Sequence, residues 1–216
     1  MSCKNNISGS KMTSAADTAS YAYGVYIAKG LKSGNMEHLS LEMIYRGMKD
    51  VIEGKNDTME VYNAQVILND YYSKYQTERN REQYAENKKK GEEFLALNKS
   101  EEGVVTLPSG LQYQVIREGT GPKPQADDIV NVIYTGSLID GTVFESNKDK
   151  EPVTLQVNGV IPGWTEALLM MNTGSVWKIF IPQELAYGES GTSSGVIKPY
   201  STLIFEIELV SIEPKK

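Results

Sequence analysis

The apolar residues of the chain follow two different periods. Before about residue 100 they recur every three to four positions, which is the period of an amphipathic α-helix. From Val104 onwards they alternate with polar residues, which is the period of a half-buried β-strand. The pattern therefore predicts an α+β fold, in which an all-helical N-terminal domain is joined by a long helix to an antiparallel β-sheet domain with one short helix.

Three helices are predicted in the first half. The first begins at Ser14 with a capping-box-like sequence and ends near Leu31, and the second covers residues 41–53. No proline interrupts the third segment, so we predict one continuous helix over about residues 58–97. Its first part carries an apolar seam of coiled-coil spacing. Charged residues surround residues 76–93, so we expect this part to make few tertiary contacts.

The helical half has more apolar surface than a single copy of it can bury. Apolar residues occupy much of the circumference of the first helix: Ala19, Tyr23, Tyr26, Ile27 and Leu31. We therefore expect a homodimer formed through residues 13–75. The predicted organisation is a flexible tether over residues 1–12, a helical dimerisation domain over residues 13–100 and a sheet domain over residues 101–216.

Strand patterns bounded by glycine or proline turns fill the second half. They cover residues 111–115, 130–134, 142–146, 153–157, 175–182 and 202–212. A short helical pattern near residues 162–170 interrupts them. One helix against an antiparallel sheet is large enough to enclose its own core.

The stretch Asn-Gly-Val-Ile-Pro-Gly-Trp at residues 158–164 is the strongest candidate for a site. Pro162 suits the first turn of a helix, and Gly163 lets another group approach the backbone closely. Trp164 would then offer a flat apolar floor to a small ring. The glycine spacing does not fit a phosphate-binding loop, and no lysine follows it. Taken alone, the stretch is equally compatible with an ordinary packed corner.

The composition and net charge exclude several classes of function. Hydrophobic content of 40% and charged content of 23% are typical of an ordinary folded protein. A net charge of −6 argues against nucleic acid as the main partner. The chain has one Cys and one His, so we expect no internal disulfide, no metal site and no cofactor. No segment approaches the roughly 18 consecutive apolar residues of a membrane span.

Cys3 has two interpretations. It is either an incidental residue of a polar tail or the acylated cysteine of a bacterial lipoprotein, with a small residue before it and a polar tether after it. The second interpretation requires that an apolar signal segment has been removed. Lipid on Cys3 would be the only membrane attachment that the sequence suggests.

An ordered set of motifs around the candidate turn resembles the FKBP-type peptidyl-prolyl cis-trans isomerases. The resemblance covers residues 103–214. Its motifs are Val-Ile-Tyr-Thr-Gly at 132–136, Asp-Gly-Thr-Val-Phe-Glu at 140–145, the turn at 158–164, Leu-Ala-Tyr-Gly at 185–188 and the strand at 202–209. The helical half resembles the two-domain bacterial branch typified by macrophage infectivity potentiator, whose amino-terminal helices intertwine into a dimer.

This resemblance implies an enzyme that isomerises X-Pro peptide bonds and assists protein folding in the periplasm or cell envelope. Its substrates would be proline-containing polypeptides, and macrolide immunosuppressant-type inhibitors would bind the same pocket. The residues that it implies in catalysis are Tyr134, Phe144, Glu145, Ile161, Trp164, Tyr187 and Phe205. Those that it implies in substrate binding are Val153, Val160 and Ile197.

The chain departs from the family pattern at three places. Glu145 stands where the family usually has Asp, which puts the carboxylate on a longer arm. Val153 stands where smaller members often have an aromatic residue, which would widen one wall. The loop at residues 189–195 has no aromatic residue or histidine, and we expect it to be flexible.

The alternative function is a proline-binding module or holdase chaperone with little turnover, and Glu145 keeps this alternative open. A pure oligomerisation scaffold is a third alternative, but it leaves the set of tyrosine, phenylalanine and tryptophan residues unexplained.

Overall fold

A computed structural model describes residues 11–55 and 59–214 of the chain. Cys3 and most of the expected tether lie outside the described residues, as does the predicted start of the third helix at residues 56–58. The chain forms two compact units, one ending at Gln65 and the other beginning at Val66. The helices are α1 (Ala15–Ser33), α2 (Leu41–Ile52), α3 (Val61–Gln83), α4 (Ala85–Asn98) and α5 (Pro162–Met170).

The amino-terminal helices begin where the sequence predicts. The Ser14 hydroxyl accepts a hydrogen bond from the Asp17 N–H (3.0 Å), and the Asp17 carboxylate accepts one from the Ser14 N–H (2.9 Å). This reciprocal capping box satisfies two donors that a helix end leaves free. At α2, the Ser40 hydroxyl caps the helix by accepting a single hydrogen bond from the N–H of Met43 (3.2 Å). None of the residues in α1, α2 or α3 is buried.

The prediction of one continuous helix over residues 58–97 is wrong. The segment is helical, but α3 ends at Gln83 and α4 begins at Ala85. Tyr84, between them, has φ −114° and ψ 18°, outside the α-helical region. The absence of proline therefore did not guarantee continuity.

Residues 76–93, which were expected to make few tertiary contacts, are mostly exposed, and the contacts that they do make lie on one face. α4 packs on the sheet domain: Gly91 is buried against Thr202, and the rings of Phe94 and Phe180 lie 6.0 Å apart. The contacting face consists of glycine, asparagine and aromatic residues rather than aliphatic ones, so the hydropathy pattern did not reveal it.

Seven strands form one antiparallel sheet, which confirms the predicted α+β class. They are β1 (Val104–Thr106), β2 (Gln112–Arg117), β3 (Ile129–Leu138), β4 (Val143–Ser146), β5 (Val153–Gln156), β6 (Val176–Ile181) and β7 (Leu203–Ile212). Their order is β1-β2-β6-β7-β3-β4, and β5 also pairs with β3. The strand ends differ from the sequence prediction by a few residues, as hydrogen-bond assignments commonly do.

Two short strands share one edge of β3. Along its other edge β3 pairs with β7 from Val130 to Leu138. On the shared edge, β5 pairs with residues 129–132 and β4 with residues 135–137. Tyr134 therefore lies in the interval between the two edge partners.

The helix α5 closes the core on one face of the sheet. Ala167 and Leu168 of α5 are fully buried, and Trp164 is 4% exposed. Gly163 permits this approach, because a Cβ at this position would lie 2.5 Å from Cγ2 of Ile181. Burial of apolar surface stabilises the domain by about 25 cal/mol per Å². The same packing fixes Trp164 relative to the strands.

Candidate active site

A pocket of about 440 Å³ opens between the start of α5, the edge strands and the loop after β6. This volume is in the range of small-ligand sites. The structure brings eight of the ten predicted site residues together in its lining: Tyr134, Phe144, Glu145, Val160, Ile161, Trp164, Tyr187 and Phe205. Leu155 and Gly159 complete the lining.

Four aromatic rings meet edge to face in this pocket. The Trp164 ring lies 5.1 Å from Phe205, with an angle of 87° between the planes, and 5.1 Å from Tyr134, at 89°. Phe144 lies 5.6 Å from Phe205 at 84°. Such arrangements place ring edges against ring faces, the preferred geometry of aromatic pairs. The rings therefore form a rigid apolar enclosure.

The enclosure depends on Gly136 of β3. A Cβ at this position would lie 2.6 Å from the Phe144 ring and 2.7 Å from the Phe205 ring. Real Cβ atoms do not approach other atoms so closely, and a larger residue would push these two walls apart. Gly136 belonged to a motif of the resemblance, but the sequence reasoning gave it no role.

Asn147, which sequence reasoning missed, holds Tyr134 in place. The side-chain oxygen of Asn147 accepts a hydrogen bond from the Tyr134 N–H (2.7 Å), and the backbone N–H of Asn147 donates to the Tyr134 carbonyl (3.1 Å). Its amide nitrogen donates to the Val132 carbonyl (3.1 Å). Asn147 is 6% exposed, so these bonds are shielded from water. An asparagine just after a strand carries no signal that separates this role from an ordinary turn.

The polar groups of the lining side chains are two tyrosine hydroxyls, one carboxylate and the indole N–H of Trp164. Burial raises the pKa of Tyr134 to about 12, and a hydrogen bond to the Glu145 carboxylate and its negative charge act in the same direction. Burial also raises the pKa of Tyr187, again with the Glu145 charge. The Glu145 carboxylate thus lies close enough to the Tyr134 hydroxyl to raise its pKa. Both phenols keep their protons at neutral pH and can donate hydrogen bonds.

The turn at residues 157–161 leads into α5. The Thr165 hydroxyl donates to the Val157 carbonyl (2.7 Å), and Pro162 is the first residue of the helix. The Ile161 carbonyl accepts from the N–H of Trp164 (2.9 Å). The Ile161 N–H, at the pocket lining, has no acceptor within the described part of the chain. It is therefore available to a carbonyl group of a bound molecule.

Val153 and Ile197, the two remaining predicted residues, do not line the pocket. Val153 pairs with Val132 at the far end of β5, and Leu155, two residues along on the same face, contacts the pocket instead. The expectation that Val153 widens one wall stays a prediction. Ile197 is 5% exposed and packs in the core.

Leu155 and Gly159 were not predicted to line the site. Leu155 belongs to the alternating pattern of β5, which marks it as inward-facing but does not distinguish the core from a pocket wall. Gly159 ends the one-turn 3-10 helix before α5, where its backbone contributes to the lining.

The sequence and the fold match those of known proteins. A family model described as FKBP-type peptidyl-prolyl cis-trans isomerase matches residues 121–210. A second model, described as the domain amino-terminal to FKBP-type peptidyl-prolyl isomerase, matches residues 16–115. The chain belongs to the FKBP-type peptidyl-prolyl cis-trans isomerases and is an enzyme that acts on proline-containing polypeptides and assists protein folding.

Relatives match over most of the chain. "Outer membrane protein MIP" of Legionella longbeachae is 42% identical over 94% of this chain and 88% of its own length. The FKBP-type 22 kDa peptidyl-prolyl cis-trans isomerase of Escherichia coli is 43% identical over 90% of this chain and 94% of its own. The crystal structure of FkpA from Escherichia coli matches with a TM-score of 0.60 and 32% identity, over 94% of this chain and 99% of that one.

Within residues 11–55 and 59–214, no helix is both long enough and apolar enough to cross a membrane.

Proposed function

We propose that the aromatic pocket is the catalytic site, in which Trp164 supports the prolyl ring and Phe144 and Phe205 form its walls. The observation that carries this proposal is the edge-to-face enclosure of four rings around one opening. It fits an apolar five-membered ring, whose burial contributes about 25 cal/mol per Å².

The two donors at the pocket would hold the backbone on either side of the bond. The N–H of Ile161 has no acceptor in the described chain, and the hydroxyl of Tyr187 keeps its proton. Each would donate to a carbonyl that flanks the X-Pro bond. The hydroxyl of Tyr134, whose pKa the nearby Glu145 carboxylate helps to raise, would fix the orientation of that carboxylate beside the opening.

This arrangement suits a rotation that makes and breaks no covalent bond. Amide resonance sets a barrier of about 18–20 kcal/mol, and isomerisation without a catalyst takes tens of seconds or longer. A catalyst must bind the twisted amide more tightly than the planar one, and each 1.36 kcal/mol of preference gives about tenfold in rate. Exclusion of water favours the less polar twisted amide. Nucleophiles and cofactors are not required.

Substitution in the pocket tests this assignment. Trp164→Ala and Tyr187→Phe should each lower kcat/KM for a prolyl tetrapeptide about tenfold, because each removes a contact to the twisted amide. Tyr113→Phe is the matched control, because Tyr113 stacks on Trp177 at 4.3 Å and does not line the pocket. Full activity of both pocket variants would exclude the assignment.

A macrolide immunosuppressant provides a second measurement at the same site. It should bind the unmodified protein and lose affinity in Trp164→Ala. If the unmodified protein binds proline peptides without turnover and the pocket variants lose that binding, the pocket belongs to a proline-binding module rather than a catalyst.

We further propose that residues 13–75 form a homodimer. No residue of α1, α2 or α3 is buried, and large apolar side chains of these helices are exposed in a single copy. Examples are Tyr26 (77%), Leu41 (70%), Ile52 (84%), Val61 (85%) and Tyr62 (76%). A second copy with the same excess of apolar surface is a self-complementary partner. Two joined copies would hold an unfolded chain near a second pocket at raised effective concentration.

The proposed location is the bacterial cell envelope, with lipid on Cys3. The name of the Legionella relative, an outer membrane protein, supports the location. Mass spectrometry of protein from native membranes would detect acylated Cys3, and Cys3→Ser should release the protein into the soluble fraction. An unmodified cysteine in membrane-derived protein would contradict the anchor.

A further inference from the structure

One face of α3 and α4 meets the sheet domain at regular intervals. Its residues follow alternating steps of four and three, which keeps them on the same side of a helix. All of them are buried or half-buried, and we call them the docking stripe: Asn80, Tyr84, Asn87, Gly91, Phe94 and Asn98. The stripe crosses the break at Tyr84.

The lower part of the stripe fastens α4 to the sheet. The side-chain nitrogen of Asn98 donates to the side-chain oxygen of Gln112 (2.8 Å), and the nitrogen of Gln112 donates to the Leu95 carbonyl (2.9 Å). Asn98 and Gln112 are buried, so this pair is shielded from water. Gly91 lies directly against the side chain of Thr202, at the start of β7. This part anchors the helix.

The upper part of the stripe contacts a loop. Asn80 donates from its side-chain nitrogen to the Glu189 carbonyl (2.9 Å), and Asn87 donates to the Pro199 carbonyl (3.2 Å). The acceptors are main-chain carbonyls near the two ends of the loop at residues 187–200. The two asparagines lie on either side of the break at Tyr84, so the end of α3 holds one end of the loop and the start of α4 holds the other.

The same loop carries a residue of the pocket. Tyr187, its first residue, lines the site. The Tyr187 carbonyl accepts from the Gly191 N–H (3.2 Å), and the Gly188 carbonyl accepts from the Tyr200 N–H (2.8 Å). The position of Tyr187 is therefore linked by hydrogen bonds to both attachment points.

The loop has a backbone conformation that needs support. Tyr200 has φ +60° and is 3% exposed. The left-handed region is unfavourable for a tyrosine and persists where surrounding contacts hold it. Pro199, the residue immediately before it, is the acceptor of Asn87. The asparagine thus contacts the loop beside its strained residue.

We propose that Asn80 and Asn87 are positioning residues for the isomerase reaction. They fix the loop at residues 187–200 on the helix and thereby hold the Tyr187 hydroxyl at the pocket. This proposal rests on the role proposed above for Tyr187. It assigns the connecting helix a part in catalysis as well as in joining the two units of the chain.

Isosteric substitution tests the contacts in the full-length protein. Asn80→Asp and Asn87→Asp preserve shape but remove the donor and place a carboxylate against a carbonyl. Gln83→Glu is the matched control: it makes the same amide-to-acid change at an exposed position of α3. We expect the double aspartate variant to lose about tenfold in kcat/KM, because both hydrogen bonds that hold the loop are lost. The control should keep full activity.

Hydrogen exchange tests the loop independently of turnover. The Tyr200 and Gly191 amides should exchange about tenfold faster in the double variant, while buried amides of β7 keep their protection. Unchanged exchange at Tyr200 and Gly191 would overturn the proposal. So would faster exchange throughout the domain, because it would indicate general destabilisation.

A double-mutant cycle with Tyr187→Phe tests whether the effect acts through Tyr187. We expect the combined variant to be little worse than Tyr187→Phe alone, because the loop then has no hydroxyl to position. Losses that multiply would overturn the positioning role. If Tyr187→Phe by itself has no effect, the role of Tyr187 fails, and faster loop exchange would show that the contacts exist but serve the fold only.

Discussion

The two compact units differ in how far their apolar side chains are buried. In the sheet domain, Leu168, Ile179 and Leu209 have no exposed surface. In the amino-terminal unit, Ile52 is 84% exposed and Val61, where α3 begins in that unit, is 85% exposed. A sheet covered by one helix encloses a core, whereas these helices leave apolar faces open. The difference teaches that the sheet domain encloses its core within one copy, and it supports the proposal that the helical unit requires a second copy.

The strongest test of this comparison is to make the open faces charged. The double variant Ile52→Lys/Val61→Lys should be monomeric at micromolar concentration, measured by sedimentation velocity. Each buried apolar side chain stabilises by about 1.5–3 kcal/mol and occurs twice in a symmetric dimer, so Kd should rise by about a thousandfold or more.

The matched control lies in the other unit. Ile116 is 54% exposed on β2, and Ile116→Lys should leave the dimer intact. The unmodified protein should remain a dimer in high salt, because burial rather than charge holds it together. A monomeric unmodified chain, or a double variant that stays dimeric, would show that the exposed faces do not meet another copy.

A second test asks where the complete sheet domain begins. A fragment from residue 101 lacks Phe94 and Asn98, and it leaves the buried side chain of Gln112 without its partner. We expect its free energy of unfolding, measured in urea, to be about 2–5 kcal/mol lower than that of a fragment from residue 76, because it loses aromatic packing and a buried hydrogen bond. Equal stability of the two fragments would show that α4 is only a connector.

Sequence periodicity was most informative where apolar residues decide the structure. The alternation around Val130 and Val132 predicted β3, and Pro162 with Trp164 predicted α5 and its place at a pocket. The sequence pattern did not predict the docked face of α4. Gly91 contacts the sheet domain by close approach and Asn98 by amide hydrogen bonds, and hydropathy measures neither.

The ordered motifs predicted much of the pocket lining, and the residues that they did not predict depend on how the chain folds. Val153 and Leu155 are equivalent in an alternating strand, and only the register of β5 against β3 decides which of them reaches the site. Gly136 and Asn147 act through close approach and through backbone hydrogen bonds, which depend on the folded chain.

A smaller effect is expected at Glu145. Glu145→Asp should leave kcat/KM within about threefold of the unmodified value, or raise it, because a carboxylate remains beside Tyr134 and the shorter acid is the usual family residue. Glu145→Gln is the control for charge, since it keeps length and removes the negative charge that helps to raise the pKa of Tyr134. Abolished activity in Glu145→Asp would show that the longer arm has a specific role here.

The smallest expected effect is that of pH near neutrality on kcat/KM. The pocket lies in the sheet domain, whereas the only histidine lies in the amino-terminal unit. The chain's single histidine, His38, does not line the pocket. Tyr134 and Tyr187 both keep their protons between pH 6 and 8, so kcat/KM should vary less than about twofold over this range. A bell-shaped profile centred near pH 7 would indicate an ionising catalyst and contradict the mechanism.

At higher pH, the direction of the change in stability is set by Tyr134, whose pKa is about 12 in the folded protein and about 10 in an unfolded chain. The folded state binds this proton more tightly, so its contribution to stability is complete below about pH 10 and is lost as pH rises towards 12. Tyr134→Phe should therefore reduce the loss of stability of the sheet domain over this interval, measured by urea unfolding at several pH values. An unchanged loss in that variant would assign the effect to other groups.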